Sequence, residues 1–146
     1  MKKTLLYEVA GVVETSRERV ERLILTVHPG PVGPDNVWLF SSSGGTVEGG
    51  PGRFTLRMPA HSMTVEVTEG TLAAQGGWWY RGEYTVEPHP EGTLVTHRVF
   101  NVASSGRWGV SLANRLFIGF GRNTKDGFAA GLQRIGQELD CGTRLL

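Results

Sequence analysis

The chain has 146 residues, a formal net charge of +1 and a single cysteine, and 21 of its residues are glycine. This length predicts one domain over residues 1–146, because domains typically hold roughly 100–200 residues. The balance of 15 basic against 14 acidic residues argues against nucleic acid as a partner. Cys141 has no second cysteine to pair with, and no apolar run approaches the roughly 20 residues that span a bilayer. We therefore expect a cytoplasmic protein with no membrane insertion.

The N-terminal segment predicts a strand followed by a short helix. Residues 4–13 are rich in the β-branched and aromatic types that favour strands. Thr15 or Ser16 then supplies an N-cap, and apolar residues recur every three or four positions until the proline-containing segment 28–31. These apolar positions are Val20, Leu23, Ile24 and Val27.

The middle of the chain predicts antiparallel strands. Residues 36–41 have the composition of a strand, and the Gly/Ser-rich segment 41–52 after them predicts a flexible loop or a loose hairpin. Segments 53–59 and 62–69 alternate apolar with polar residues, which is typical of antiparallel strands that have one buried face.

The second half of the chain predicts more strands and then a long helix. Segments 78–87 and 93–103, joined by a turn at 88–92, complete a meander of about five or six strands. From residue 108 to about residue 140 the apolar period becomes helical, over about 33 residues. A sheet with one apolar face must be covered, and this helix is the only element long enough to cover it. The sequence therefore predicts an α+β fold.

The order of these elements, with segments 13–20, 82–88 and 92–99, resembles the helix-grip superfamily of START-like (SRPBCC) proteins, in particular its polyketide cyclase/dehydrase-like branch. The resemblance implies a curved antiparallel β-sheet wrapped around a long C-terminal α-helix, with a hydrophobic cavity between them. Proteins of this superfamily mostly bind lipids, polyketides, hormones or other apolar molecules, and a minority catalyse cyclase or aromatase reactions. They share no universal catalytic triad, so no catalytic residue is implied here. In this fold the segment 41–52 would overhang the cavity mouth as a lid.

His97 is the histidine that the strand pattern singles out. It alternates in phase with Val95 and Val99, so its side chain should point to the buried face of the sheet. One interpretation is a core histidine whose polar atoms are satisfied by a neighbour. The other is a polar contact or a general acid/base at the cavity wall, because imidazole titrates near neutral pH. In the second case Tyr84 is the candidate partner.

The same alternation predicts four inward-facing aromatic residues. They are Tyr7, Trp78, Tyr80 and Tyr84. Tyrosine and tryptophan combine an apolar body with one polar atom, which suits the binding of an amphipathic ligand and equally suits an ordinary core. Arg81 and Glu83 then fall on the opposite face of the sheet, as solvated partners across strands.

The apolar stripe of the C-terminal helix has a polar interruption between Phe120 and Phe128. The inward positions there are Asn123, Thr124 and Gly127. An unpaired buried amide costs about 1–3 kcal/mol, so a dry core disfavours this composition. We therefore expect Phe120, Asn123 and Thr124 to line the ligand cavity. The alternative is a hydrogen-bonded packing detail or a face turned to solvent.

Five glycines fall inside the proposed helix, where each costs about 1 kcal/mol relative to alanine. They are Gly119, Gly121, Gly127, Gly131 and Gly136. Gly127 and Gly131 share a face, and one hypothesis is that they thin the helix where a ligand fits. Bending of the helix, or its close packing on the sheet, would explain these glycines equally well.

The sequence contains no motif for a phosphate loop, a zinc protease, a CxxC site or a serine hydrolase, and its histidines lack metal-ligand spacing. We therefore predict no cofactor and no metal. The leading interpretation is binding of a small hydrophobic or aromatic molecule by a monomer or homodimer. One alternative is a cyclase, aromatase or dehydratase that uses His97 and a tyrosine. The other is a ligand-free interaction module, which predicts a filled interior with no pocket of about 300 Å3 or more.

Overall fold

The computed structural model describes residues 3–77, 79–103 and 119–146, with side chains described throughout these ranges except at residues 119–122. Within them the chain forms an α+β fold, as predicted. Its elements are β1 (Thr4–Val13), α1 (Arg17–Ile24), β2 (Gly30–Pro31), a 3-10 helix (Trp38–Phe40), β3 (Thr46–Gly49), β4 (Arg53–Arg57), β5 (Ser62–Thr68), β6 (Thr71–Gly76), β7 (Tyr80–His89), β8 (Gly92–Asn101), α2 (Gly119–Leu139) and β9 (Thr143–Leu145). The predicted helix from residue 108 is described from Gly119 onward.

The described strands form one antiparallel sheet in the order β2-β3-β4-β5-β6-β7-β8-β1-β9. The register places Val9 opposite His97 and His97 opposite Tyr84, so these three residues share one face. We call this face, which packs against α2, the inner face of the sheet. Neither described helix is long and apolar enough to cross a membrane.

Helix α2 packs on the inner face through its large apolar side chains. Phe128, Leu132 and Ile135 follow the helical repeat, and each is at least 90% buried in one cluster with strand residues. The strand residues of this cluster are Val9, Val13, Val86 and Val95. A second apolar cluster lies under β3 to β6, around Val47, Phe54, Leu56, Val65 and Leu72.

The N-cap and the apolar stripe predicted for the N-terminal helix are confirmed, but the helix ends at Ile24, so Val27 lies outside it. Ser16 is the N-cap of α1, and its Oγ accepts a hydrogen bond from the backbone N–H of Arg19 at 3.4 Å. Val20 and Ile24, one turn apart, are fully buried, so the apolar stripe of α1 joins the core between the sheet and α2.

The predicted strand at 36–41 is wrong, because this segment forms a turn and the 3-10 helix. The cause lies in Asn36, which is buried and bonds to the backbone of the preceding loop. Its Oδ1 accepts from the N–H of His28 at 2.9 Å, and its Nδ2 donates to the carbonyl of His28 at 2.8 Å. Side-chain bonds of this kind compete with strand pairing. Val37 then adopts a left-handed conformation with φ of 51°, which turns the chain.

Two further strand predictions need correction. Segment 41–52 contains β3, which pairs with β4, so the hairpin interpretation is right and the flexible-loop interpretation is wrong for these residues. The sequence patterns do not predict β2, β6 or β9, which pair with β3, β5 and β1. Strands 53–59, 62–69, 78–87 and 93–103 are confirmed with shifted ends as β4, β5, β7 and β8.

Arg81 and Glu83 lie on the outer face of the sheet, as predicted, but they are less exposed than solvated partners would be. Each side chain is only 12% exposed. Nε of Arg81 donates to Oε2 of Glu83 at 2.8 Å, and Nζ of Lys3 donates to the same oxygen at 2.8 Å. Burial by itself raises the pKa of Glu83, but the hydrogen bonds from both cations outweigh it and hold that pKa below its ordinary value.

Alanine substitutions at two glycines of α2 should have opposite effects on stability. A Cβ at Gly131 meets no atom within 4 Å, whereas a Cβ at Gly136 would lie 2.8 Å from the carbonyl oxygen of Cys141. Gly131→Ala should raise the free energy of unfolding by about 0.5–1 kcal/mol through helix propensity. Gly136→Ala should lower it by about 1–3 kcal/mol, because the backbone must shift. Urea unfolding of both variants measures their free energies of unfolding. Equal effects of the two substitutions would contradict the position of α2 relative to Cys141.

Candidate functional site

A cavity of about 160 Å3 lies where α2 meets the inner face of the sheet and the 3-10 helix. Three aromatic side chains form part of its wall, one from each of these elements: Trp38, Tyr84 and Phe128. Aliphatic side chains such as Leu39, Val95 and Ile135 line most of the rest, together with Gly127, Gly131 and Arg134 of α2. The described part of the wall is therefore mostly apolar, with one cationic side chain.

Two glycines of α2 lie in the wall of this cavity on its open side, since Gly127 is exposed and Gly131 is half-buried. Gly127 and Gly131 both line it, and a Cβ at either position would meet nothing within 4 Å. Residues four apart lie on the same face of a helix, so both gaps open toward the same space. The hypothesis that these two glycines thin the helix where a ligand fits stays a prediction. Close packing explains Gly136 instead, because a Cβ there would collide with residues 141 and 143.

The size of the cavity limits what it can hold. Pockets for drug-sized ligands typically measure about 300–1,000 Å3, well above the 160 Å3 found between α2 and the sheet. An engineered apolar cavity of about 150 Å3 in another protein binds benzene or xenon. The described cavity therefore matches an occupant about the size of a single ring.

His97 lies in a stack of three nearly parallel rings. Its imidazole centroid is 4.1 Å from that of Tyr84, with ring planes 12° apart, and 6.3 Å from that of Phe128, with planes 7° apart. Gly82 provides space beside this stack, because a Cβ there would lie 2.5 Å from the hydroxyl oxygen of Tyr80. The stack connects β7 and β8 to α2 next to the cavity.

The hydrogen bond of His97 fixes its tautomer. Nδ1 lies 3.2 Å from the carbonyl oxygen of Glu83, and a carbonyl oxygen only accepts, so Nδ1 carries the proton and donates. Burial lowers the pKa of His97 below its ordinary value of 6.5, and this hydrogen bond offsets only part of the effect. His97 is therefore a neutral imidazole near neutral pH, and Nε2 carries the lone pair that can accept a proton.

The tyrosines beside His97 are neutral as well. Burial raises the pKa of the Tyr84 phenol well above its ordinary range, and nearby Tyr80 raises it further. Burial also raises the pKa of Tyr80. The lone pairs of imidazole lie in the plane of its ring, so a tyrosine stacked face to face on it is badly placed for proton transfer. The contact between Tyr84 and His97 is one of packing.

The structure separates the aromatic residues that the sequence grouped together. Tyr84 lines the cavity, whereas His97 packs behind it and is not part of the described wall. Tyr7 lies opposite Val99 and packs against the core cluster under α2, outside the described wall. Tyr80 is also outside that wall, and Trp78 lies outside the described residues.

The predicted residues of α2 also fall in different places. Asn123 is exposed and Thr124 is half-buried, and neither belongs to the cavity wall that the structure describes. The side chain of Phe120 lies outside the described residues. The polar interruption in the helix therefore coincides with the cavity at Gly127 alone.

Sequence reasoning missed Trp38, Leu39 and Arg134. Trp38 and Leu39 belong to a segment interpreted as a strand, so no argument placed them near α2. Arg134 had a usable signal, because it follows Gly131 by three residues and so lies on a neighbouring part of the same helix face. No cluster of three or more metal-ligating side chains occurs among the described residues.

No protein-family model, curated protein or solved structure matches the chain. The structure itself gives an antiparallel sheet with a short helix after its first strand and a C-terminal helix packed on its inner face. This arrangement is consistent with a helix-grip fold.

Protonation of His97 should lower stability at acidic pH. The unfolded chain, with an imidazole pKa near 6.5, binds a proton that the folded chain disfavours. The free energy of unfolding should therefore fall as the pH drops below 6.5 toward the folded pKa, by about 1.4 kcal/mol for each unit of pKa lowering. Urea unfolding between about pH 7 and about pH 5 measures the decrease.

The matched variants are His97→Phe and His61→Phe. His97→Phe keeps a ring in the stack but has no titrating group there. Its free energy of unfolding should therefore fall less between about pH 7 and about pH 5 than that of the wild type. His61 is exposed, so its variant should keep the wild-type decrease. An unchanged pH dependence in His97→Phe would show that His97 is not buried in its neutral form.

Proposed function

We propose that this protein binds a small apolar molecule, about one ring in size, in the cavity between α2 and the sheet. The observation that carries the proposal is the open space at Gly127 and Gly131, in a cavity wall that also contains the rings of Trp38, Tyr84 and Phe128. Glycine in a helix interior lowers stability, and binding sites commonly retain features that stability alone would remove. We further propose that the chain is a helix-grip protein, which the order of its elements supports.

The described cavity gives less support to a cyclase or dehydratase. Acid/base catalysis needs two polar groups within about 3 Å of one substrate atom. Tyr84 lines the cavity, but His97 lies behind its ring and has its Nδ1 proton bonded to Glu83. The arrangement favours holding an apolar ring over transferring a proton to it.

The second candidate is a ligand-free interaction module. The observation that favours it is the cavity volume, because 160 Å3 is below the roughly 300 Å3 at which ligand pockets typically begin. On this interpretation the space at Gly127 and Gly131 is a packing void. Binding measurements with a single-ring compound separate the two candidates.

Gly131→Leu should fill the cavity and block binding without unfolding the protein. Native mass spectrometry of freshly purified protein reports any co-purified apolar molecule, and NMR titration with toluene reports binding of a defined probe. Toluene should bind the wild type and bind Gly131→Leu at least about tenfold more weakly, since steric overlap of this kind costs more than about 1.4 kcal/mol. Any co-purified molecule should be lost from the variant as well.

The control is Lys125→Leu, which adds the same side chain at an exposed position of α2 outside the cavity wall. It should bind toluene like the wild type. Absence of toluene binding by the wild type, with no co-purified molecule, would contradict the proposal and favour the interaction module.

A further inference from the structure

Arg134 places a positive charge at the edge of the apolar cavity. Its side chain lines the cavity from α2, and its guanidinium carbon lies 4.6 Å from the ring centroid of Trp38. Its Nη2 donates a hydrogen bond to Oγ of Ser41 at 3.2 Å. The 3-10 helix and the residue after it thus hold the guanidinium in place. Arg134 is an exposed residue, so the charge lies where the cavity meets solvent.

No carboxylate of the chain neutralises Arg134. All 14 Asp and Glu residues lie within the described ranges, since residues 104–118 and the other undescribed positions include none. None of these carboxylates comes within the 4.0 Å ion-pair distance of Arg134, whereas Arg57, Arg81, Arg98 and Arg144 each make such a pair. A guanidinium has five N–H donors, and the structure uses one of those of Arg134, toward Ser41.

Glu138 follows Arg134 by four residues and so lies on the same side of α2. Its carboxylate nevertheless makes no ion pair with Arg134 in the part of the chain that the structure describes, and its side chain lines a groove with Arg19 and Arg22 of α1. The guanidinium of Arg134 therefore has no carboxylate partner among the described residues of α2.

From these observations, and resting on the proposed function, we infer that the ligand is a monocyclic aromatic carboxylate. The ring fits the volume of about 160 Å3 and lies among Trp38, Tyr84 and Phe128. The carboxylate stays at the cavity mouth, where Arg134 can bind it with two parallel N–H···O hydrogen bonds. Because the charged group remains at the solvent boundary, its full desolvation is avoided.

The test compares benzoate with benzamide, which has nearly the same shape and no charge. Titration calorimetry at neutral pH and low salt should give a benzoate dissociation constant about tenfold or more below that of benzamide. Arg134→Gln retains a donor for Ser41 and removes the charge, so it should abolish the preference for benzoate over benzamide. Arg134→Lys, which keeps the charge without the planar fork, should retain part of the preference.

The control variant is Arg53→Gln, which removes one positive charge from an exposed position on β4, away from the cavity. It should keep the wild-type preference for benzoate. A preference that survives in Arg134→Gln, or equal binding of benzoate and benzamide by the wild type, would overturn the inference and leave the proposed function intact. Binding of toluene without binding of benzoate or benzamide would likewise overturn the inference and leave the proposed function intact. Failure of all three compounds to bind would overturn both.

Discussion

The spacing between helix α2 and the sheet is the constraint on which the rest of the site depends. Phe128, Leu132 and Ile135 are buried against the strands and set how closely the helix can approach. Gly127 and Gly131 lie on the same helix and have no side chains to fill the gap that this spacing leaves. A packed interior loses contacts wherever such a gap persists, so the cavity exists at the expense of stability. The site thus results from the combination of large apolar side chains and glycines on the same helix.

The ring stack gives this arrangement a rigid support. His97 lies between Tyr84 of β7 and Phe128 of α2, with all three rings nearly parallel. Its bond to the carbonyl of Glu83 fixes the orientation of the imidazole, and burial keeps it neutral. Phe128 and Tyr84 also line the cavity, so a change in the charge of His97 would act on both walls. His97 therefore contacts two of the side chains that line the cavity without being part of the described wall itself.

Sequence patterns within single segments predicted the elements whose formation depends on those segments alone. The strict alternation in β4 and β5 revealed those strands, and alternation along β7 and β8 placed Tyr84 and His97 on one face. The prediction of a strand at 36–41 is wrong because the hydrogen bonds of Asn36 to the preceding loop outweigh the strand-like composition. Strand β6 contains consecutive buried residues and so lacks the alternating pattern, and β9 has only three residues that pair with β1. The cavity could be suspected from two glycines, but its volume and Arg134 depend on distances between elements that no sequence pattern contains.

The central claim is that the space at Gly127 and Gly131 is a binding cavity. Xenon tests this claim most directly, because xenon enters small apolar cavities without needing a specific contact. Crystals of the wild-type protein under xenon pressure should show one xenon atom among Trp38, Phe128 and Gly131. The same experiment on Gly131→Leu should show none at that place. An empty, collapsed site in the wild type, with Trp38 or Phe128 filling the space, would contradict the account.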